Sequence, residues 1–238
     1  MAYQQIFKRY EMKFLLTQAQ KARLLQTMEP YMALDQYGRT TIRNVYFDTD
    51  DYRLIRRSLE KPVYKEKLRL RSYRRATPQS RVFVELKKKY NGVVYKRRLA
   101  LTEKDATCWL LGHKQVPDNQ IGREVEYFLS FYGPVRPVVF LSYEREAYYC
   151  RQGGDFRLTL DENILARQEE ISLEAPVWGT PLLEAGKTLM EVKTSEGIPL
   201  WLTAFLTREG IYKTSFSKYG TAYQTMIYPK WKGTKQYA

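Results

Sequence analysis

Apolar and polar residues alternate with a period of two through residues 6–16, 41–48, 64–75, 81–89, 93–101, 136–149, 155–162 and 187–194. That periodicity predicts strands, because successive side chains of a strand point to opposite faces of a sheet. Between them lie helical patterns. Thr17 with Gln20 three residues later reads as a capping box opening a helix to Met28, and Thr102 with Asp105 reads as a second N-cap. Segments 119–132, 198–209 and 217–228 also carry helical spacing, and the last, rich in small and aromatic residues, is expected to pack against the strands. The breaks at Thr77–Ser80, Val116–Asn119 and Glu174–Pro181 are short, so residues 1–238 are read as a single domain. Eight strands at this spacing predict an α+β fold built on a closed antiparallel eight-stranded β-barrel, with helices packed outside and at the C-terminus.

The polar faces are unusual. Lys65, Lys67, Arg69, Arg71 and Tyr73 share one side of a strand whose other side carries Glu66, Leu68, Leu70 and Ser72. The same logic recurs with Arg9, Glu11 and Lys13; with Glu85, Lys87 and Lys89; with Lys96 and Arg98; with Tyr143 and Arg145; with Arg157 and Asp161; and with Glu191 and Lys193. Solvated strand faces usually mix neutral polar residues with both charges. These faces are weighted to Arg and Lys, and the whole chain carries +14 from 40 Lys and Arg against 26 Asp and Glu. So many cations facing an enclosed space repel one another unless a polyanion neutralises them. Arg offers paired donors and Lys a compact charge, which together suit an extended chain of phosphates.

Composition removes several other chemistries. With His113 as the sole histidine, placed in the loop Gly112-His113-Lys114, no histidine zinc site or histidine-based nucleophile pair is expected. Cys108 and Cys150 are read as ordinary packed residues suited to a reducing, cytoplasmic setting. No segment reaches the ~20 apolar residues that span a bilayer. Nucleic-acid binding is expected to be incidental, since most Tyr, including Tyr127 and Tyr132 on a helix, are assigned to packing. The acids embedded in the basic faces need partners. Glu191 is the leading candidate to hold a hard ion, with pairing to Lys193 or another cation as the competing reading; charge pairing is favoured for Glu11 and Glu85.

Arg9-Tyr10-Glu11-Met12-Lys13, Asn44-Val45-Tyr46-Phe47-Asp48-Thr49, Lys67-Leu68-Arg69-Leu70-Arg71-Ser72-Tyr73, Glu85-Leu86-Lys87, Tyr143-Glu144-Arg145, Arg157-Leu158-Thr159-Leu160-Asp161, Glu191-Val192-Lys193 and Ser217-Lys218-Tyr219 follow one another in order. Over about residues 5–225 the chain resembles the polyphosphate polymerase domain of the vacuolar transporter chaperone (VTC) family, part of the triphosphate tunnel metalloenzymes. The resemblance implies a metal-dependent phosphotransferase that moves the γ-phosphoryl group of ATP to a growing inorganic polyphosphate, with pyrophosphate as a further substrate or primer. Hydrolysis of triphosphates or nucleoside triphosphates and non-catalytic polyphosphate binding are the alternatives. Carried over by position, Arg69, Arg71, Lys96, Arg145 and Arg157 are the phosphate-binding residues of catalysis. Arg9, Lys13, Lys67, Lys87, Arg98, Tyr143, Lys193, Ser217 and Lys218 support substrate binding, and Glu191 holds Mn²⁺ or Mg²⁺. Ser215 stands where family members tend to place a further Lys, with Lys213 nearby. The eukaryotic proteins add an inositol-phosphate-sensing domain and membrane helices. This chain is expected to be a stand-alone bacterial type, compatible with a separately encoded membrane partner.

Overall fold

The computed structural model describes residues 10–115 and 117–235. The elements run β1 (Tyr10–Thr17), α1 (Gln18–Met28), β2 (Met32–Leu34), β3 (Thr40–Asp48), α2 (Arg53–Leu59), β4 (Tyr64–Ser72), β5 (Arg81–Tyr90), β6 (Val93–Thr102), α3 (Glu103–Leu110), α4 (Gln120–Tyr132) and β7 (Arg136–Cys150). They continue with β8 (Arg157–Arg167), β9 (Thr180–Pro181), β10 (Lys187–Thr194), α5 (Leu200–Arg208), β11 (Lys213–Thr214), α6 (Lys218–Ala222), a π-helical turn (Tyr223–Ile227) and α7 (Tyr228–Lys235). Each of the eight expected strands is present. The short β2, β9 and β11 and helix α2 are additions, too brief to impose a periodic pattern on the sequence.

The local signals behave as their chemistry requires. Thr17 Oγ1 accepts from Gln20 N at 3.2 Å while Thr17 N donates to Gln20 Oε1 at 2.9 Å, closing the capping box of α1. Thr102 caps α3 through Asp105 N at 3.1 Å. The β5–β6 hairpin turns on Asn91 (φ 45°) and Gly92 (φ 83°), the left-handed pair that a two-residue turn needs.

All strands join one antiparallel sheet in the order β11-β1-β10-β8-β7-β3-β4-β5-β6, with β2 added on β7 and β9 on β8. The expected closed barrel is corrected here: among the described residues no ladder joins β6 to β1. The sheet instead curls until side chains meet across the gap, where Lys87 on β5 donates to Glu11 on β1 at 3.0 Å. No helix among the described residues is long and apolar enough to cross a membrane.

Two apolar layers cover the outer face. Val45, Leu68, Leu70, Val84, Leu86 and Phe140 pack under α3 and α4 through Trp109, Leu110, Val125 and Phe128. Phe14, Leu158, Leu160, Met190 and Val192 pack under α1 and α5 through Leu24, Met28, Leu202 and Phe205. A third layer lies on the concave side, where Ile42, Tyr46, Leu141 and Leu189 meet Tyr219, Ala222, Tyr223 and Ile227 of the C-terminal segment. The interior is therefore not cationic throughout: the C-terminal helices fill one part of it with apolar side chains. Tyr127, assigned to the core from its helical position, is 71% exposed beside Phe131, whereas Tyr132 packs against the core. Both cysteines are free, and His113 is exposed.

Candidate functional site

Alternation along β1, β4, β5, β6, β7 and β10 carries a second row of side chains to the concave face, opposite the two outer apolar layers. They line a cavity of about 240 Å³ together with Ser217, Lys218 and Tyr219 from the start of α6. Of the residues expected from sequence, Lys13, Lys67, Arg69, Arg71, Lys87, Lys96, Tyr143, Arg145, Glu191, Lys193, Ser217 and Lys218 meet there. Arg98 lies two residues beyond Lys96 on the same face of β6, outside the lining, bound to Glu85 and with its guanidinium carbon 4.4 Å from the Phe83 ring centre. Arg157, at the start of β8, is register-paired with the lining residue Lys193 but is exposed, with its guanidinium 5.7 Å from the Tyr149 ring centre. Lys213 is exposed on β11. Arg9 lies outside the described residues.

The acids organise the cations. Glu85, with no exposed surface, accepts from Arg69 Nε and Nη2 at 2.9 and 2.7 Å and from Arg98 Nε at 2.8 Å. Arg71 and Lys96 approach it to 3.7 and 3.6 Å. Burial alone would raise its pKa, but the surrounding Arg71, Arg69, Lys96 and Arg98 hold it well below the usual carboxylate range. Asp161, equally buried, accepts from Arg145 at 2.5 and 2.6 Å and from Lys218 Nζ at 2.5 Å. Glu191 takes Lys218 at 3.0 Å, Arg145 at 3.2 Å, Lys193 at 3.4 Å and Lys13 at 3.5 Å. Its pKa is also held well below the ordinary range, against the effect of burial. Glu11 joins Lys87 at 3.0 Å and Lys13 at 3.2 Å.

A register irregularity lies beside Asp161. β7 and β8 pair Ser142 with Leu165 but Glu144 with Glu162, so β8 carries one extra residue there, at a point where Asn163 adopts φ 48°. Asp161 faces the concave side before the bulge, and Ile164 and Ala166 face the same side after it. Strict alternation cannot place both.

Hydroxyls and amides complete the lining. Arg71 donates to Asn44 Oδ1 and Tyr143 Oη, both at 2.9 Å, and Arg69 donates to Tyr46 Oη at 2.9 Å. Lys218 Nζ sits 4.5 Å from the Tyr143 ring centre, and Arg145 lies 5.0 Å from it. Burial would raise the Tyr143 phenol, yet Arg71, Arg145 and Lys218 outweigh it and lower its pKa. Thr159, register-paired with Glu191, carries a buried hydroxyl with no hydrogen-bond partner among the described residues. The sequence reading missed Tyr10, Tyr46, Val94 and Tyr219 as lining residues, although Tyr10, Tyr46 and Tyr219 stood inside motifs it singled out.

Several cations keep a net excess of charge. Lys67 has the Ser217 hydroxyl as its hydrogen-bond partner at 3.1 Å, and burial with the nearby Lys87, Lys13, Lys65 and Arg69 pushes its pKa down to about 7. Lys96 falls to about 7 by burial and the neighbouring arginines, despite Glu85. Lys193 is also lowered, mainly by burial. Lys67 and Lys96 are poised to gain a proton when an anion enters.

Among the described residues no three His, Cys, Asp or Glu side chains come together as a metal centre. Glu191 still fits a hard divalent ion as its protein ligand, because such ions commonly take one or two carboxylates and complete their shell with substrate phosphates and water. One ammonium would have to move from the Glu191 oxygens to admit it.

The VTC domain family model matches residues 8–227. No curated protein matches the sequence. Among solved structures, an adenylate cyclase-like protein from Bacillus halodurans superposes with TM-score 0.59 at 16% identity, over 90% of this chain and 96% of that one. An adenylyl cyclase-like protein from Hippeastrum, described as having a dominant triphosphatase activity, gives 0.53 at 16% identity over 93% and 96%. At that identity the likeness concerns the fold.

Proposed function

The chain belongs to the VTC domain family, and from that premise we propose that it is a metal-dependent polyphosphate polymerase, transferring the γ-phosphoryl group of ATP to a growing polyphosphate in the basic cavity. The observation that carries this reading is a lining in which Arg and Lys outnumber the acids, while each acid is already paired. The surplus charge suits a polyanion rather than one phosphate.

Phosphoryl transfer asks the protein mainly for alignment and for compensation of charge on the transferred group. Arg69, Arg71 and Arg145 are held rigidly by Glu85, Asn44 and Asp161, so their remaining donors are oriented before substrate arrives. Lys13, Lys67, Lys87, Lys96, Lys193 and Lys218 supply mobile charge along the chain of phosphates. Tyr143 and Ser217 add hydroxyl contacts. No protein base is needed, because a terminal phosphate is already ionised near neutral pH. A Mn²⁺ or Mg²⁺ ion held by Glu191 would supply further charge neutralisation at the phosphates.

A second reading, triphosphate hydrolysis, is favoured by the activity described for the Hippeastrum protein, since water could replace the acceptor in the same cavity. Product analysis separates the two. Purified protein is incubated with ATP and Mn²⁺ or Mg²⁺, with and without pyrophosphate, and the products are resolved by chain length. A ladder of polyphosphate, lost in Arg69→Ala and Glu191→Ala variants that keep native circular dichroism, is expected. Orthophosphate without a ladder would replace the polymerase with the hydrolase. Absence of turnover with either ion would leave a polyphosphate-binding module.

A further inference from the structure

We infer that the convex face of the sheet carries a second anion site, built around Arg43 and Arg75, that takes a phosphate-type oxyanion independently of the cavity. Arg43 lies in the middle of the sheet, register-paired with Ser72 on β4 and Ser142 on β7. It is on the outer face, two residues before Val45 in the layer beneath α3 and α4. Arg43 is half-buried, and its Nε is fully covered with no hydrogen-bond partner among the described residues. No ion pair to Arg43 exists among the described residues. The hydroxyl of Ser142, opposite it, is likewise buried and unpartnered. Arg75 follows three residues after Ser72, the register partner of Arg43, and burial together with that second cation lowers the pKa of Arg43. Arg75 is exposed and uses its Nε on the Glu174 carbonyl at 2.5 Å, which leaves its terminal nitrogens to a ligand.

A guanidinium with a covered, unpaired nitrogen beside a like charge is costly, whereas an oxyanion bridging the two would satisfy both. Two planar forks and a serine hydroxyl are all donors suited to tetrahedral oxygens. The arrangement contrasts with Arg167, buried on this face, whose donors go to the Glu169, Trp178 and Glu170 carbonyls. Arg167 is therefore a structural clamp on its loop, and Arg43 has no such employment. The site backs onto the cavity wall: Asn44, next to Arg43, holds Arg71, and Tyr143 follows Ser142.

The test is equilibrium dialysis of labelled orthophosphate, in dilute chloride buffer, against wild type, Arg69→Ala, and Arg69→Ala combined with Arg43→Met or with Arg75→Gln. The Arg69→Ala protein is expected to retain outer-face binding, and the double variants to weaken it by about tenfold or more, the loss of a charge-assisted pair. Equal binding by the Arg69→Ala protein and both double variants would overturn the site. Arg43→Met alone, melted without phosphate, is expected to be at least as stable as wild type and to gain less from added phosphate. A clear loss of stability would mean that the protein already satisfies Arg43, and would also overturn it. Tripolyphosphate run in parallel distinguishes a chain end from free orthophosphate as the source of the anion.

Discussion

Replacing Glu85 by Gln tests whether the acids of the cavity exist to assemble its cations. The side chain keeps its shape but loses the charge that faces Arg69, Arg98, Arg71 and Lys96 from 2.5 to 3.7 Å. Breaking a buried charge cluster by removing one partner costs about 3–5 kcal/mol, a large share of a typical domain stability of roughly 5–15 kcal/mol. For a chain of this size that is a fall of roughly 10 °C in melting temperature. The four cations then lack their built-in counter-ion, so a polyanion should restore more stability to the variant than to wild type. At one hundred times its dissociation constant a ligand adds about 2.7 kcal/mol. The assay is thermal or urea unfolding with and without tripolyphosphate. Because the folded pKa of Glu85 is depressed, its contribution is fully present above the ordinary carboxylate range and is lost as pH falls through the folded value. The difference between variant and wild type should therefore shrink in acid. A loss below about 1 kcal/mol at neutral pH, or equal rescue of the two proteins by tripolyphosphate, would refute the reasoning.

Lys67 and Lys96, both near pH 7, should make binding of tripolyphosphate weaken as pH rises from 6 to 8, since their charge is present below that pKa and lost above it; calorimetry of wild type against Lys67→Met, which should flatten the trend, checks this. The same depressed values mean that the unfolded chain binds more protons, so ligand-free stability should rise between about pH 7 and pH 10. Lys218→Met leaves Asp161 and Glu191 facing each other without their shared ammonium. It should destabilise the fold by about 3 kcal/mol and abolish turnover, and unchanged melting would count against the shared bridge. Tyr219→Phe removes the hydroxyl that donates to buried Asp48 at 2.8 Å, beside the Leu54 and Ile55 amides held by the same carboxylate. A loss of about 1–2 kcal/mol is expected, with KM raised because Ser217 and Lys218 are positioned through this contact.

The sequence by itself determined the eight long strands, the capped helices and the sign of the inner face, because alternation and capping are local and every motif fell on a periodic segment. It also determined most of the cavity lining, since residues two apart on a strand must share a side. Tertiary structure decided what depends on neighbours distant in the chain. The C-terminal segment turned out to enter the concave side rather than only cover the sheet, a matter of which apolar surface Tyr219, Tyr223 and Ile227 could bury. The bulge at Asn163 changed the parity of β8, turning Ile164 and Ala166 to the concave side that Asp161 and Arg157 share by alternation. The partners of Glu191 come from β1, β7, β10 and α6, and no spacing along one strand reveals such a meeting. The ladder that would close the sheet is absent between β6 and β1 among the described residues, because closure depends on strand tilt and shear, and these belong to the whole sheet.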